Sequence, residues 1–220
     1  MENIDQISTA IALGMGMAWA SGINVYAALL TLGVLSVTGN VELPEALQIV
    51  ADPLVMTAAG VMYTVEFFAD KVPGVDSGWD VIQSFVRIPG GAILAAAAFG
   101  DISPAAQLAA AILGGSFAAT THAAKAGSRV LINTSPEPLS NWSASIAEDL
   151  AVIAGVWTAV QHPWLFLALM IVFILLMAWL LPRLWRGVKQ VFSKLAVLFG
   201  RRAASRPLPP ASEADRNSGD

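Results

Sequence analysis

The chain contains no cysteine, which excludes a disulfide framework, a thiolate metal site and thiol redox chemistry. Charge is scarce too: Asp, Glu, Lys and Arg make up 13% of the 220 residues, against roughly 25% in an ordinary soluble domain. That is too little charge to cover a surface facing water. Enzyme signatures are missing: there is no His-Glu-x-x-His pair, no Gly-x-Ser-x-Gly elbow and no phosphate-cradling Walker loop. Gly14-x-Gly16 lies inside an apolar run rather than after a strand, so it is no nucleotide fingerprint. The three aspartates of Asp70–Asp80 lack the spacing of a calcium loop, and His122 and His162 stand too far apart in sequence for a metal pair. No catalytic activity, cofactor, metal or nucleic-acid partner is expected. The opening residues, MENIDQ, lack the positive region of a signal peptide, so the first apolar segment is expected to stay in the mature protein.

What the chain has in quantity is apolar length. Hydrophobic residues make up 56% of it, and the mean hydropathy is +0.65. Pro163–Leu181 carries no ionisable side chain and, at ~1.5 Å per helical residue, spans about the ~30 Å hydrocarbon core of a bilayer. Long apolar runs broken by polar punctuation predict six transmembrane helices, at 8–38, 45–69, 79–99, 104–124, 142–160 and 163–182. The expected fold is an all-α membrane protein, a six-helix transmembrane bundle filling 1–184. From Trp185 to Phe199, Val188, Phe192, Leu195 and Phe199 line one face while Arg186, Lys189 and Lys194 lie off it. That pattern predicts a basic amphipathic helix over 185–199, lying in the membrane interface. A disordered cytoplasmic tail is expected over 200–220.

Basic residues concentrate in short cytoplasmic loops. With six crossings and both termini cytoplasmic, Lys71, Lys125, Arg129 and the cations from Arg183 onward fall inside, and Arg87 reaches the same face by snorkelling. The outer loops then hold Glu42, Glu45 and Asp101 and no cation. The segment 79–99 is the least regular crossing, because Asp80, Gln83 and Arg87 form a polar stripe. Its alternative is an interfacial helix that does not cross.

The halves resemble each other weakly. Gly16–Tyr26 (GMAWASGINVY) aligns with Gly115–Lys125 (GSFAATTHAAK), Gly60–Val65 with Gly155–Val160, and Leu43-Pro44-Glu45 with Ser135-Pro136-Glu137. Two three-helix units, 8–99 and 104–182, would be inverted repeats, because three is odd; such repeats place a working site near the midplane between them. The run 8–38 is too long for one straight span. Either it breaks near Ser21-Gly22-Ile23-Asn24, with Thr120-Thr121-His122 as the counterpart, or it tilts with Gly22 as a packing contact.

Ionisable residues at membrane depth are costly and normally face the bundle interior. Asp52, Glu66, His122, Lys125, Arg129, Glu148 and Asp149 are therefore candidate pathway or ligand-binding residues, together with Ser21, Asn24 and Tyr26 of the first segment. Glu148 and Asp149 share a depth with Lys125 and Arg129 and are expected to pair with them. For Glu66, Asp70, Lys71, Lys125 and Arg129 the alternative is surface anchoring of helix ends; for Asp52 it is an N-cap.

Three stretches carry a family likeness: SGINVYAALLTLG (21–33), VEFFADKVPGVDSGWDVIQSFVRIP (65–89) and THAAKAGSRVLINTSPEPLSNW (121–142). They resemble an uncharacterised bacterial membrane-protein family, domain of unknown function 4126, over about 10–182. The resemblance implies a bacterial inner-membrane location and brings no activity, substrate or site residues. The functional expectation is a small transporter or channel, with the lipid bilayer and a small ion or metabolite as partners. The competing expectation is a non-transporting scaffold or assembly partner.

Overall fold

The computed structural model describes residues 2–72, 74–100, 102–134 and 138–204. Asp101, Ser135–Glu137 and the expected tail from 205 onward lie outside them, as do the side chains of Lys194, Leu195 and Phe199. The described residues form α1 (Glu2–Val37), a 3-10 helix (Glu45–Ala51), α2 (Pro53–Ala69), α3 (Val75–Ala97), α4 (Pro104–Ile132), α5 (Pro138–Gln161) and α6 (Pro163–Ala204), with no strand among them. Four helices open on proline, whose fixed φ suits the first turn and whose missing N–H costs nothing there. Asp52 accepts from Leu54 N at 2.8 Å and Ser103 from Ala106 N at 3.1 Å, capping α2 and α4.

Three segments are long and apolar enough to cross a membrane: Ile4–Val37, Leu139–Gln161 and Pro163–Ser193. A fourth qualifies if the 3-10 helix and α2, bent by 62° at Asp52, count as one span. The expected straight helix over 45–69 is therefore two elements. Helices α3 and α4 do not reach that measure, yet the charges they carry point inward. Arg87, Arg129 and Glu66 are 0% exposed, while Phe85 is 81%, Leu54 77% and Leu113 70% exposed. An apolar exterior around a charged interior reverses the arrangement water selects, and it is stable when the surroundings are lipid. This is a membrane protein.

The largest departure from expectation is α1. Its backbone leaves the helix at Asn24 (φ −152°, ψ 97°). A straight 36-residue helix would be about 54 Å long and would hold Leu13 far from Val41. Instead Gln6, Thr9, Ala10 and Leu13 share the lining of one cavity of about 440 Å³ with Val41, Glu42, Leu43 and Pro44. Four residues beyond Val37 reach at most about 14 Å, so the helix turns back at Asn24. Its two halves run in from one end of the bundle and return to it.

That end also holds the 3-10 helix, the turn after α3 and the α5–α6 turn, where Gln161 Nε2 donates to Asn40 O at 2.8 Å. Its described charged residues include Asp5, Glu42, Glu45 and Asp52; we term it the acidic end. The α2–α3 turn, the C-terminal end of α4 and Arg183, Arg186 and Lys189 lie at the opposite, basic end. Helices α2 to α6 each run between the two ends. The two termini of the described chain are thus at opposite ends, contrary to the expectation that they share a side. Residues from Trp185 extend α6 through Pro182 without a break to Ala204, so 200–204, expected to open the disordered tail, are helical. They pack on α4 through Leu184 beside Gly127 and Gly187 beside Leu131, so the expected separate interfacial helix is a continuation of the last helix.

Small residues set the packing. A Cβ on Gly22 would collide with Thr121 and the Ala118 carbonyl, one on Gly91 would meet Ala118 and Ala18, and one on Gly114 would meet Ala95. These close approaches bind the first half of α1 to α3 and α4, as small residues do between membrane helices. Of the two readings of 8–38, the break holds, at Asn24, and the unbroken tilted helix does not, although Gly22 is the packing contact it called for. The same contacts correct the repeat. Ala18 lies beside Gly114, and Gly22 beside Ala118 and Thr121, so Gly16–Tyr26 and Gly115–Lys125 run in the same direction rather than inverted. Helix α4 also continues through Thr120-Thr121-His122 without a break.

Candidate functional site

The break in α1 faces the most charged region of the interior. Losing helical geometry at Asn24 frees the last carbonyls of the first half and the first amides of the second. Lys125 Nζ donates to Ile23 O at 3.1 Å, and Asn24 Oδ1 accepts from Ala27 N at 3.0 Å, capping the returning half. Asn24 Nδ2 donates to Asp149 Oδ1 at 3.0 Å, and Tyr63 OH donates to Asp149 Oδ2 at 3.1 Å. A cation thus meets the C-terminal end of one half-helix, and an anion sits one hydrogen bond from the N-terminal end of the other, as the two dipoles favour.

Around the break, three cations are interleaved with four carboxylates. Arg87 donates through Nη2 to Glu66 Oε1 at 2.7 Å and through Nη1 to Asp80 Oδ1 at 2.8 Å. Lys125 Nζ lies 2.9 Å from Asp70 Oδ2, 3.6 Å from Glu66 and Glu148, and 3.8 Å from Asp80. Arg129 Nη2 donates to Glu148 Oε2 at 2.6 Å, and its Nη1 to the carbonyls of Asn141 and Asp70. Nearer the basic end, Asp76 at the start of α3 accepts from Gly74 N, Ser77 N, Asn133 and Asn141.

His122 links its own helix, α4, to α3. Arg87 Nη1 lies 3.1 Å from its Nδ1, and Ser84 Oγ 2.7 Å from its Nε2. A guanidinium can only donate, so Nδ1 accepts and Nε2 carries the hydrogen: the ring is neutral. Ser21 Oγ donates to the Arg87 carbonyl at 2.7 Å, and Tyr26 OH meets Gln83 at 3.4 Å. Arg87 lies twelve residues from the start of α3, about 18 Å in from the basic end. Beyond it the interior is apolar: Leu13, Met17, Leu94, Ala98, Val156 and Phe166 close the acidic half. The interior is a polar column from the basic end to mid-depth, capped by an apolar plug.

Nine of the ten residues expected from the sequence gather here: Ser21, Asn24, Tyr26, Glu66, His122, Lys125, Arg129, Glu148 and Asp149. Asp52 does not; it is the exposed N-cap of α2, about 21 Å along that helix from Glu66. Asn24, Tyr26, His122 and Lys125 are engaged by neighbouring side chains and a backbone carbonyl rather than lining an open pathway. Glu148 pairs with Arg129 as expected, whereas Asp149 takes neutral partners instead of a cation. Glu66, Lys125 and Arg129 are buried rather than anchored at the surface. Arg87 does not snorkel; burial with two carboxylates satisfies it.

Asp80, Gln83, Arg87, Asp70 and Tyr63 were not among the candidates. The signal that finds three of them was present: Asp80, Gln83 and Arg87, with Asp76, recur at three- and four-residue steps on one face of an apolar helix, and such a stripe faces the bundle interior. Among the described residues no group of three or more His, Asp or Glu side chains is placed to hold a metal ion.

Comparison with protein families decides the kinship: the model of the family described as "Domain of unknown function (DUF4126)" matches residues 11–183. The chain belongs to the DUF4126 family. No curated protein and no solved structure matches it. The matched DUF4126 region spans the break in α1 and every residue of the charged network, and it ends where the basic stretch of α6 begins.

Proposed function

We propose that the protein is a small transporter or channel of the bacterial inner membrane, carrying a small ion or metabolite through the polar column. In this reading α2 to α6 cross the bilayer, α1 enters and returns, and the basic end is cytoplasmic. The N-terminus is then outside and the C-terminus inside. The observation that carries the reading is the interrupted α1, whose two half-helix ends meet Lys125 and, through Asn24, Asp149 at mid-depth. Broken helices with charged partners are how membrane transporters build solute sites. The apolar plug makes this the state closed toward the acidic end.

The competing reading is a non-transporting scaffold. It is favoured by the closeness of the ion pairs, which lock four helices together and leave little room for a solute. Flux separates the two. Purified protein in liposomes, screened against small ions and metabolites, should give a flux that Glu148→Gln cuts at least tenfold. The amide still accepts from Arg129, so folding is retained. Flux equal to that of empty liposomes would leave the scaffold reading; flux untouched by Glu148→Gln would put the path elsewhere.

Orientation is tested with single cysteines, which the cysteine-free chain permits. Those at Gln6 and Glu42 should react with a membrane-impermeant thiol reagent outside intact cells, and those at Gly74 and Lys189 should not. Labelling of Glu42 but not Gln6 would restore a single crossing by α1.

A further inference from the structure

The ion-paired network is unbalanced. Arg87, Lys125 and Arg129 supply three positive charges, and Glu66, Asp70, Asp80 and Glu148 four negative ones, all within 4.0 Å of a cation. An uncompensated charge in a dry interior is costly, so the surplus carboxylate calls for a further positive charge. A second observation points to where it sits. Glu66 Oε2, Asp70 Oδ1 and Asp80 Oδ2 are buried oxygens without a hydrogen-bond partner, on side chains at most 5% exposed. Each of these carboxylates spends one oxygen on a cation and keeps the other idle. Arg87 Nε and Arg129 Nε are also unpartnered, but they are donors and offer a positive ligand nothing.

We propose that the polar core binds one proton, held on the Glu66–Asp80 pair that Arg87 bridges. A metal cation needs several convergent oxygens, which the described residues do not provide; a proton needs one. The groups facing the pair are Arg87 from α3, His122, Lys125 and Arg129 from α4, Asp70 from α2, Glu148 and Asp149 from α5, and the Ile23 carbonyl and Asn24 from α1. Arg87 and Arg129 stay charged, and Lys125 is engaged by carboxylates and a carbonyl. His122 already accepts from Arg87 and so offers no free nitrogen. Asp149 and Asp76 have donors of their own. Glu148, with a side chain 19% exposed, is the least buried of the four paired carboxylates. It is the entry point, receiving the proton from water at the basic end and passing it inward, so that one O–H bond breaks as another forms. That the proton is the transported or coupling ion rests on the transport reading; its residence in the core does not.

Infrared spectroscopy of the purified protein in lipid tests this. At neutral pH the wild type should show the C=O stretch of a buried carboxylic acid, shifted by deuterium exchange. Glu66→Gln and Asp80→Asn each bring the network to three against three and mimic a protonated carboxyl in shape, so both should fold and lose that band. Asp52→Asn, at the acidic end, should keep it. A wild type without the band, or a band that survives both substitutions, overturns the proposal. Solute flux without the band would sink the proton and leave transport standing. A band without any flux would support the proton and sink transport.

Discussion

Replacing Arg87 by alanine is expected to destabilise the solubilised protein by about 3–5 kcal/mol, the cost of removing one partner from a buried charge pair. Arg87 is 0% exposed and serves two carboxylates on different helices, so its loss leaves Glu66 on α2 and Asp80 on α3 with only Lys125, already shared with Asp70 and Glu148, at 3.6 and 3.8 Å. The neutral His122 also loses the donor that holds its tautomer. Equilibrium unfolding of the detergent-solubilised protein measures the effect. The triple variant with Glu66→Gln and Asp80→Asn should recover a large part of the loss, because no unpaired charge remains. A single variant within 1 kcal/mol of wild type would mean that the site is wet and the pairs are worth little, as at a surface.

Asn24→Leu is the second large effect. Leucine suits a membrane helix, and judged by propensity alone the change should cost little. The structure reverses that expectation, because Asn24 does two things at once. It caps the returning half of α1, worth about 1 kcal/mol, and it donates to Asp149, whose buried oxygen would go unpaired at about 1–3 kcal/mol. A total loss of roughly 2–4 kcal/mol is expected, read from the same unfolding curves. Asn24→Asp should keep the cap while setting two carboxylates against each other, so it should unfold more easily as pH rises. Leucine without measurable cost would show that the break does not depend on Asn24.

Much of this was legible in the chain. Composition and apolar length point to a membrane protein, and the proline-opened helices start close to where apolar runs resume. Glu148 and Arg129 could be paired from shared depth, because both lie in long regular helices whose registers count reliably from the basic end. Arg87 could not be placed in the same way. Its charge had a sufficient explanation in snorkelling, and only packing shows that Glu66 and Asp80 reach it first. The polar Ser-Gly-Ile-Asn stretch marks where α1 breaks, yet nothing in a helical period states the angle of the break. One residue in an extended conformation sets whether the second half continues or returns. From that single angle follow the location of the N-terminus, the number of crossings and the failure of the inverted repeat between Gly16–Tyr26 and Gly115–Lys125.

The reversal of α1 at Asn24 is therefore the claim on which the account depends, and one distance tests it. Spin labels on cysteines introduced at Gln6 and Glu42, in otherwise cysteine-free protein, report that distance by pulsed electron resonance in lipid. Both positions border the same cavity, so the labels should lie within about two helix diameters, roughly 25 Å. A helix that continued through Asn24 would put Gln6 about 46 Å from Val37, and since the five residues on to Glu42 reach back at most about 17 Å, it would separate the labels by about 29 Å or more; a distance in that range would contradict the fold-back and the site built on it.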